Sequence, residues 1–432
     1  MSEFWCEHAL LPSGLESSVL VTVADGRFAS VVSGAEPGTA ERLPGLTIPG
    51  LANCHSHAFH RALRGRTQRE RGTFWTWREQ MYAVAARLTP DSYYSLARAV
   101  YGEMALSGVT CVGEFHYLHH GPDGTSYAEP NAMGEALVAA ARDAGLRIAL
   151  LDTCYLTGGF EQELTGVQVR FGDGDADGWA ARVALLKPAD DVVIGAAAHS
   201  VRGVLRDQLA VVAAALPDAP LHVHLSEQVA ENEACLATYG RTPAQLLDES
   251  GFLSGRTSAV HATHLTGVDV ALLGESATYS CFCPTTERDL ADGIGPSAAL
   301  RDAGSPLTVG SDSHAVIDMF EEMRAVELNE RLASQTRGTW CADELLRAAT
   351  GVGHRSLGFA DAGRIEPGAR ADLVTLRLDS VRTAGAGAAV ETAVFAASAA
   401  DVTSVVSSGR RIIAEGKHLS IDVPAELAAA IG

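Results

Sequence analysis

The sequence predicts an α/β fold: a (β/α)₈ TIM barrel joined to a small β-sandwich-like domain that both chain ends form. Eight apolar, strand-like segments begin at about residue 46, and alanine-rich helical stretches lie between most of them. Strand-like segments also occur near the N terminus and near the C terminus. A doubly wound sheet would show the same alternation, so the choice between the two depends on where the polar residues fall.

The barrel strands are predicted from apolar segments, several of which end in histidine-rich text. In chain order these segments are LTIPGLANCH, VTCVGEFHYL, LRIALLDTCYL, VVIGAAAHS, LHVHLSE, SAVHATHL, ATYSCFCP and PLTVGSDSH. Between them, amphipathic periodicity predicts helices such as those over residues 91–107, 131–144 and 320–333. The whole unit spans about 310 residues, a little above the ~250 that are typical of such a barrel.

Both chain ends are predicted to contribute strands to the smaller domain. Near the N terminus, SSVLVTVADGRFASVVSG has two apolar runs around an Asp-Gly pair, which is a hairpin signal. Near the C terminus, GARADLVTLRLD and VTSVVSSGRRIIAEGK are strand-like and could pair with that hairpin. We therefore expect residues 1–48 and 364–432 to form the β domain, and residues 49–363 to form the barrel.

Composition narrows the classes of function. The net charge of −20 argues against nucleic acid and anionic membrane surfaces as partners. A small anionic substrate would therefore need a local cluster of arginines. The eight cysteines form no CxxC pair, the N terminus has no basic segment leading into an apolar core, and no apolar run approaches the length of a membrane span. These features predict a cytoplasmic protein with free thiols.

The stretch NCHSHAFHR concentrates histidines directly after the first barrel segment. Alternate side chains of a strand point to the same face, so His55 and His57 lie side by side. Two such imidazoles form half of a transition-metal site, although a hydrogen-bonded pair at a strand end would give the same pattern. The rest of the chain has to supply the missing ligands.

Further polar residues follow the predicted strands, at the end of a barrel where active sites are found. In chain order they are Tyr117 after the second strand, His199 and Arg202 after the fourth, His224 and Glu227 after the fifth, His261 and His264 after the sixth, and Asp312 and His314 after the eighth. One such residue would be ordinary packing. The whole set predicts a metal site within a barrel.

Three imidazoles and one carboxylate favour a borderline divalent ion, with Zn²⁺ as the first choice. His55, His57 and His224 as neutral ligands leave room for a water, whose pKa the metal would lower towards ~7. Asp312 could act as a ligand and could also take a proton from that water. Glu227, three residues beyond His224, could carry a proton between nucleophile and leaving group.

The sequence favours one ion per chain. Barrels with two ions usually bridge them with a modified lysine at the end of the fourth strand. The corresponding segment VVIGAAAHS contains no lysine, and Lys187 precedes it.

The segments NCHSH, HVHLSE, HATH and GSDSH together resemble the signature of the amidohydrolase superfamily, in its mononuclear deaminase branch. Matched motif by motif, this resemblance implies a site in which zinc is bound by His55, His57, His224 and Asp312. It further implies that Glu227 and His261 act as catalytic groups around the hydrolytic water, together with Asp312. GRIEPGARADLVTL is similar to the segment that re-enters the small β domain of that family.

HAFHRALRG, FWTWREQMY, EFHYLHH and AHSVRG resemble the formimidoylglutamate deiminases of histidine catabolism. The resemblance implies that Arg78 holds one carboxylate of a small dicarboxylate substrate, and that Tyr117, His199 and Arg202 surround the other. Arginine forks bind carboxylates bidentately, which agrees with that role. His60 stands where the family has a glutamine, and we place it among the substrate-binding residues because either residue can donate a hydrogen bond.

The implied reaction is the hydrolysis of N-formimidoyl-L-glutamate to N-formyl-L-glutamate and ammonia, by a homodimer if the family pattern holds. A deaminase of guanine, cytosine or adenosine-like substrates is the alternative within the same fold. Such a pocket would need aromatic or amide groups that read a ring edge, rather than two arginines. A non-catalytic scaffold would be expected to have lost ligands, whereas every motif position is filled.

Some polar residues are expected to lie outside the site. His222 is predicted to be a core histidine, and His264 to belong to a turn. His116, His119 and His120 are predicted to be solvated loop residues. Trp75 and Trp77 are expected to pack so that they orient Arg78. Cys54 should face away from the histidines on either side of it.

Overall fold

A parallel sheet of eight strands forms the centre of the protein, as the computed structural model shows. The structure describes residues 1–68, 72 and 74–432, and the side chains of residues 74 and 75 also lie outside the description. The barrel strands are β5 (Leu51–Ser56), β6 (Val109–His116), β7 (Arg147–Cys154), β8 (Val192–Ala198), β9 (Leu221–Leu225), β10 (Thr257–His261), β11 (Tyr279–Phe282) and β12 (Leu307–Val309). Neighbours along the chain are neighbours in the sheet.

The two ends of this sheet meet at the residues that follow β5 and β12. The backbone N–H of Asp312 donates to the carbonyl of His55 at 3.0 Å, and that of His57 donates to the carbonyl of Asp312 at 3.2 Å. These bonds join the first strand to the segment after the eighth. The (β/α)₈ barrel predicted from the sequence is confirmed, including all eight strand segments.

Fourteen α-helices are described, most of them between barrel strands. They are α1 (Phe74–Ala85), α2 (Pro90–Leu106), α3 (Ala132–Ala144), α4 (Ala176–Val183), α5 (Leu209–Ala215), α6 (Val229–Tyr239), α7 (Pro243–Glu249), α8 (Gly267–Glu275), α9 (Pro284–Asp289), α10 (Ser297–Ala303), α11 (Met319–Ser334), α12 (Ala342–Ala348), α13 (Gly351–Ser356) and α14 (Val423–Ile431). The helix α2 begins at Pro90 because Thr89 caps it, accepting the N–H of Ser92. Within the described part of the chain, no helix combines the length and apolar character needed to cross a membrane.

Strands from both chain ends form a second sheet of eight strands. They are β1 (Ser2–Leu11), β2 (Gly14–Ala24), β3 (Arg27–Val32), β4 (Glu41–Pro49), β13 (Leu373–Leu376), β14 (Val402–Ser407), β15 (Arg410–Ala414) and β16 (Lys417–His418). Their order is β16-β15-β14-β13-β4-β1-β2-β3, so β13 pairs with β4 and joins the two chain ends. The predicted pairing of the ends is confirmed. The strand β1 was not predicted, and the domain boundaries at residues 48 and 364 stay a prediction.

The chain passes from the second sheet into the barrel at Gly50, within the segment read as one strand. A Cβ at this position would lie 2.4 Å from Oγ1 of Thr110 and 2.6 Å from Cβ of Asp372, so only glycine fits. Beside this crossing, Arg147 of β7 binds Asp372, with Nη1 3.0 Å from Oδ1. Both side chains are buried, and the pair connects the barrel to the start of β13.

Candidate active site

The predicted site residues meet at the carboxyl end of the barrel strands. Two of them have backbones in the left-handed region, His261 at φ 69° and Asp312 at φ 42°. Ser226, which precedes Glu227, has the same conformation at φ 51°. This region is unfavourable for residues other than glycine, and it persists where surrounding contacts impose it. Strain of this kind at three strand ends favours a functional site.

Four donor atoms form a compact cluster at the centre of this end. The ligand atoms of His55, His57, His224 and Asp312 all lie within 4.8 Å of one another, and all four residues are buried. Nε2 of His55 lies 3.1 Å from Nε2 of His224 and 3.3 Å from Oδ1 of Asp312. Four atoms placed tetrahedrally about 2.1 Å from a zinc ion would be about 3.4 Å apart. The cluster therefore has the compactness and the donor set of a metal site.

A backbone carbonyl orients one of the imidazoles, and burial keeps two of them neutral. Nδ1 of His57 donates to the carbonyl of Phe115 at 2.9 Å, so its Nε2 faces the cluster. Burial lowers the pKa of His55 to about 4 and that of His224 well below its usual range. Burial alone would raise the pKa of Asp312, but contacts with His55 and His57 hold it well below its usual range. Neutral imidazoles and an ionised carboxylate are the forms that bind a metal.

Two further ionisable groups flank the cluster. Nε2 of His261 lies 3.8 Å from Oδ2 of Asp312 and 3.9 Å from Oε1 of Glu227. On its other side, Nδ1 of His261 lies 3.4 Å from Oε1 of Glu287, which the sequence analysis missed. Glu287 follows the seventh barrel strand by a few residues, and that position is the signal that could have identified it.

A pocket opens over the cluster. All five predicted substrate-binding residues line it, namely His60, Arg78, Tyr117, His199 and Arg202. Its wall also contains aromatic residues that the sequence analysis did not select, among them Tyr82, Tyr155 and Phe171. A pocket with a few convergent polar groups and an apolar wall is typical of a small-molecule site.

The polar residues of the pocket contact one another. Nε2 of His60 lies 3.0 Å from the hydroxyl of Tyr117, so these two side chains are linked. Nη2 of Arg202 lies 3.5 Å from Oε2 of Glu227. The buried Glu231 of α6 also acts on Arg202 electrostatically, and burial raises the pKa of Glu231 to about 7. The sequence analysis missed Glu231, which reaches this region from the helix after β9.

The residues expected outside the site do lie outside the cluster. His222 is buried in the barrel, as predicted. His314, which was among the strand-end residues that predicted the site, also lies outside the cluster and binds the hydroxyls of Ser56 and Ser311. Trp77 lines the pocket beside Arg78, whereas the side chain of Trp75 lies outside the described residues.

The prediction for His116, His119 and His120 is wrong, because all three are buried. His116, His119 and Asp152 even form a second group with the composition of a metal site. The carboxylate of Asp152, however, already accepts hydrogen bonds from both terminal nitrogens of Arg182, each at 2.9 Å, and from Nε1 of Trp179 at 2.9 Å. A guanidinium at that distance would repel a metal ion. This group is therefore a structural ion-pair network.

Known proteins resemble this chain along most of its length. The model of the amidohydrolase family matches residues 46–412. Formimidoylglutamate deiminase of Pseudomonas aeruginosa is 36% identical over 97% of this chain and 96% of its own length. A crystal structure of an amidohydrolase from Brucella melitensis has a TM-score of 0.93 and 32% identity, covering 100% of this chain and 99% of that one.

A crystal structure of an adenosine deaminase from Xanthomonas campestris with bound zinc has a TM-score of 0.86. It is 24% identical, covers 99% of this chain and 96% of that one, and shows the fold alone. The family model covers most of the chain, and the deiminase relative covers nearly all of it. The chain therefore belongs to the amidohydrolase family and is a deaminase of that family, a hydrolase that acts on carbon–nitrogen bonds.

Proposed function

We propose that the protein hydrolyses N-formimidoyl-L-glutamate to N-formyl-L-glutamate and ammonia, as a step of histidine degradation. The observation that carries this proposal is the position of two arginines, Arg78 and Arg202, in one pocket over the four-residue cluster. A substrate with two carboxylates needs two such cations, particularly in a chain with a net charge of −20. The 36% identity to a formimidoylglutamate deiminase supports the same substrate.

The cluster is proposed to hold one divalent ion per chain, Zn²⁺ by the choice of donors. His55, His57, His224 and Asp312 would be its ligands, because their donor atoms lie close together and are the nitrogen and oxygen donors that zinc prefers. A divalent ion held there would lower the pKa of a water that it binds and so make a nucleophile available near neutral pH.

The residues around the cluster are proposed to move the protons. Asp312 and His261 accept or steady the proton that leaves the attacking water, since Nε2 of His261 lies 3.8 Å from Oδ2 of Asp312. Glu227 carries a proton to the departing nitrogen. Its carboxylate lies between His261 and Arg202, at 3.9 Å and 3.5 Å, and it lines the pocket.

The substrate is proposed to be held at both ends. Arg78 binds one carboxylate, and Arg202 binds the other together with Tyr117 and His199. His60 is proposed to lie beside the substrate, because its side chain contacts the hydroxyl of Tyr117. Burial lowers the pKa of His60 and of His199 well below the usual range, so both act as neutral hydrogen-bonding groups.

Anchoring the glutamate part determines which nitrogen leaves. Addition of water to the formimidoyl carbon gives a tetrahedral carbon with one primary and one substituted nitrogen. The substituted nitrogen stays tethered to the anchored glutamate, whereas the primary nitrogen is free to turn towards Glu227. Protonation of the primary nitrogen releases ammonia and leaves N-formylglutamate.

A nucleoside or nucleobase deaminase remains the second candidate, because aromatic side chains such as Tyr155 and Phe171 line the same pocket. An ammonia-release screen over formimidoyl amino acids, guanine, cytosine and adenosine separates the two. Turnover of formimidoylglutamate with little activity on the ring compounds is the expected result, and preference for a ring compound would overturn the proposal. We also propose a homodimer, which light scattering on the purified protein tests.

A further inference from the structure

Glu287 is a buried carboxylate that the mechanism above does not use. It lies on α9, the short helix that follows the seventh barrel strand, and is 3% exposed. Its Oε1 accepts the backbone N–H of Cys283 at 2.8 Å and lies 3.4 Å from Nδ1 of His261. One carboxylate oxygen therefore connects the start of α9 to a proposed catalytic side chain.

The helix that carries Glu287 is fixed on two sides. The backbone N–H of Thr285 donates to Glu322 of α11 at 3.0 Å. Oγ1 of Thr286 accepts the backbone N–H of Ser313, the residue after Asp312, at 3.1 Å. Because α9 is bound to both α11 and the loop after β12, the Glu287 carboxylate has a defined position relative to the site.

The contact with Glu287 determines which nitrogen of His261 faces the reaction. A carboxylate accepts a hydrogen bond and cannot donate one, so Nδ1 carries a proton in this geometry. Nε2 is then the nitrogen that faces Oδ2 of Asp312 at 3.8 Å and Oε1 of Glu227 at 3.9 Å. The contact with Glu287 therefore favours the hydrogen on Nδ1.

We propose that Glu287 is a positioning residue, which accepts the Nδ1 hydrogen of His261 and thereby presents Nε2 to Asp312 and Glu227. The proposal rests on the proposed function in so far as His261 takes part in proton transfer there. Carboxylates that orient a reactive or metal-binding histidine in this way commonly contribute 10–100-fold to activity or affinity, as an order of magnitude.

The competing explanation is that Glu287 only anchors α9 through Cys283. Glu322 offers a matched control, because it is buried and binds the same helix through Thr285 rather than through Cys283 and His261. Glu287→Met removes both contacts of Glu287, whereas Glu287→Gln keeps a carbonyl oxygen that can accept from both donors. Glu322→Gln perturbs the anchoring of α9 alone.

The test uses zinc-loaded full-length protein with ¹⁵N-labelled histidine, and His261→Asn identifies the His261 signals. In the native protein we expect Nδ1 of His261 to be protonated. Glu287→Met should lose this signature and lower kcat about 10–100-fold with little change in KM, and Glu287→Gln should recover most of both. Glu322→Gln should leave both readouts close to native. Zinc content and circular dichroism confirm that each variant is folded.

A double-mutant cycle completes the test. In the His261→Asn background, Glu287→Met should change kcat less than twofold, because the residue it positions is gone. Equal losses in both backgrounds, the same loss in Glu322→Gln, or an unchanged Nδ1 signature in Glu287→Met would each overturn the positioning role. A different outcome would overturn the proposed role of His261. In that outcome His261→Asn turns over as fast as the native protein, and the native protein still shows a protonated Nδ1 on His261. The two failures are thus distinguishable.

Discussion

Nε2 of His57 lies 3.2 Å from Oδ1 of Asp312, although one residue follows the first barrel strand and the other follows the eighth. Closure of the barrel produces this proximity, since the backbones of the same two residues are hydrogen-bonded. A carboxylate and an imidazole held this close, with two more imidazoles beside them, form a site that a divalent cation stabilises.

Metal removal should inactivate and destabilise the protein. Without a cation, the buried carboxylate of Asp312 loses its main counter-charge, so chelation should lower Tm and abolish ammonia release. Added Zn²⁺ should restore both.

Elemental analysis should give about one tightly bound ion per chain, and His224→Ala should lose metal and activity together. Two tightly held ions in active protein would contradict the ligand assignment.

Glu227→Gln should keep the fold and the metal but lose turnover by orders of magnitude, because an amide cannot carry a proton. Steady-state ammonia release and metal analysis on the same preparation measure this separation. Glu233→Gln is the control, since Glu233 is exposed on α6 and outside the pocket. Near-native turnover by Glu227→Gln would show that Glu227 only lines the pocket.

Arg78→Met should lower kcat/KM for formimidoylglutamate. The loss of transition-state stabilisation should be about 1.5–3 kcal/mol, the value of a charge-assisted hydrogen bond. The loss should shrink for an analogue that lacks the carboxylate bound by Arg78. Arg206→Met is the matched control, because Arg206 is exposed and binds Glu249 at the surface. Equal losses for the two substrates would assign a structural role to Arg78.

Arg182→Met should destabilise the protein by about 3–5 kcal/mol, because it leaves Asp152 and Asp173 as buried charges without their partner. Arg142→Met should cost at most about 1 kcal/mol, since its pair with Asp191 is largely exposed. Urea unfolding of both variants measures the difference. Similar losses would mean that burial does not determine the strength of these pairs.

The same network predicts a loss of stability in acid. Burial would raise the pKa of Asp152, but Arg182 outweighs it and holds the pKa at about 2 in the folded protein. An unfolded aspartate has a pKa of about 3.9, so this contribution is fully present above about pH 4 and is lost as the pH falls towards 2. Urea midpoints should fall over this range in the native protein and less steeply in Asp152→Asn.

Sequence reasoning was effective where a local pattern determines the structure. Apolar runs identified the eight barrel strands, and polar residues at strand ends identified the cluster and most of the pocket residues. Arg78 and His60 were identified only through the family resemblance. Gly50 was different, because it separates two strands within one apolar run. The position of that break depends on a close approach by Thr110 and Asp372, which the local sequence does not show.

Residues whose partners are distant along the chain were missed or misread. Glu287 and Glu231 reach the site from helices, and their burial depends on how those helices pack on the barrel. His119 and His120 follow a strand and resemble loop residues, yet the chain around Arg170 and Arg182 covers them. Tertiary packing, rather than local pattern, decides these cases.

Product analysis by NMR tests the central claim most directly. The purified, zinc-loaded protein is incubated with N-formimidoyl-L-glutamate, and the products are identified and quantified. Equal amounts of ammonia and N-formyl-L-glutamate are the predicted result, because in the proposed binding mode the anchored glutamate keeps the substituted nitrogen and the primary nitrogen turns towards Glu227. Stoichiometric formamide with free glutamate, or no turnover of this compound, would contradict the account.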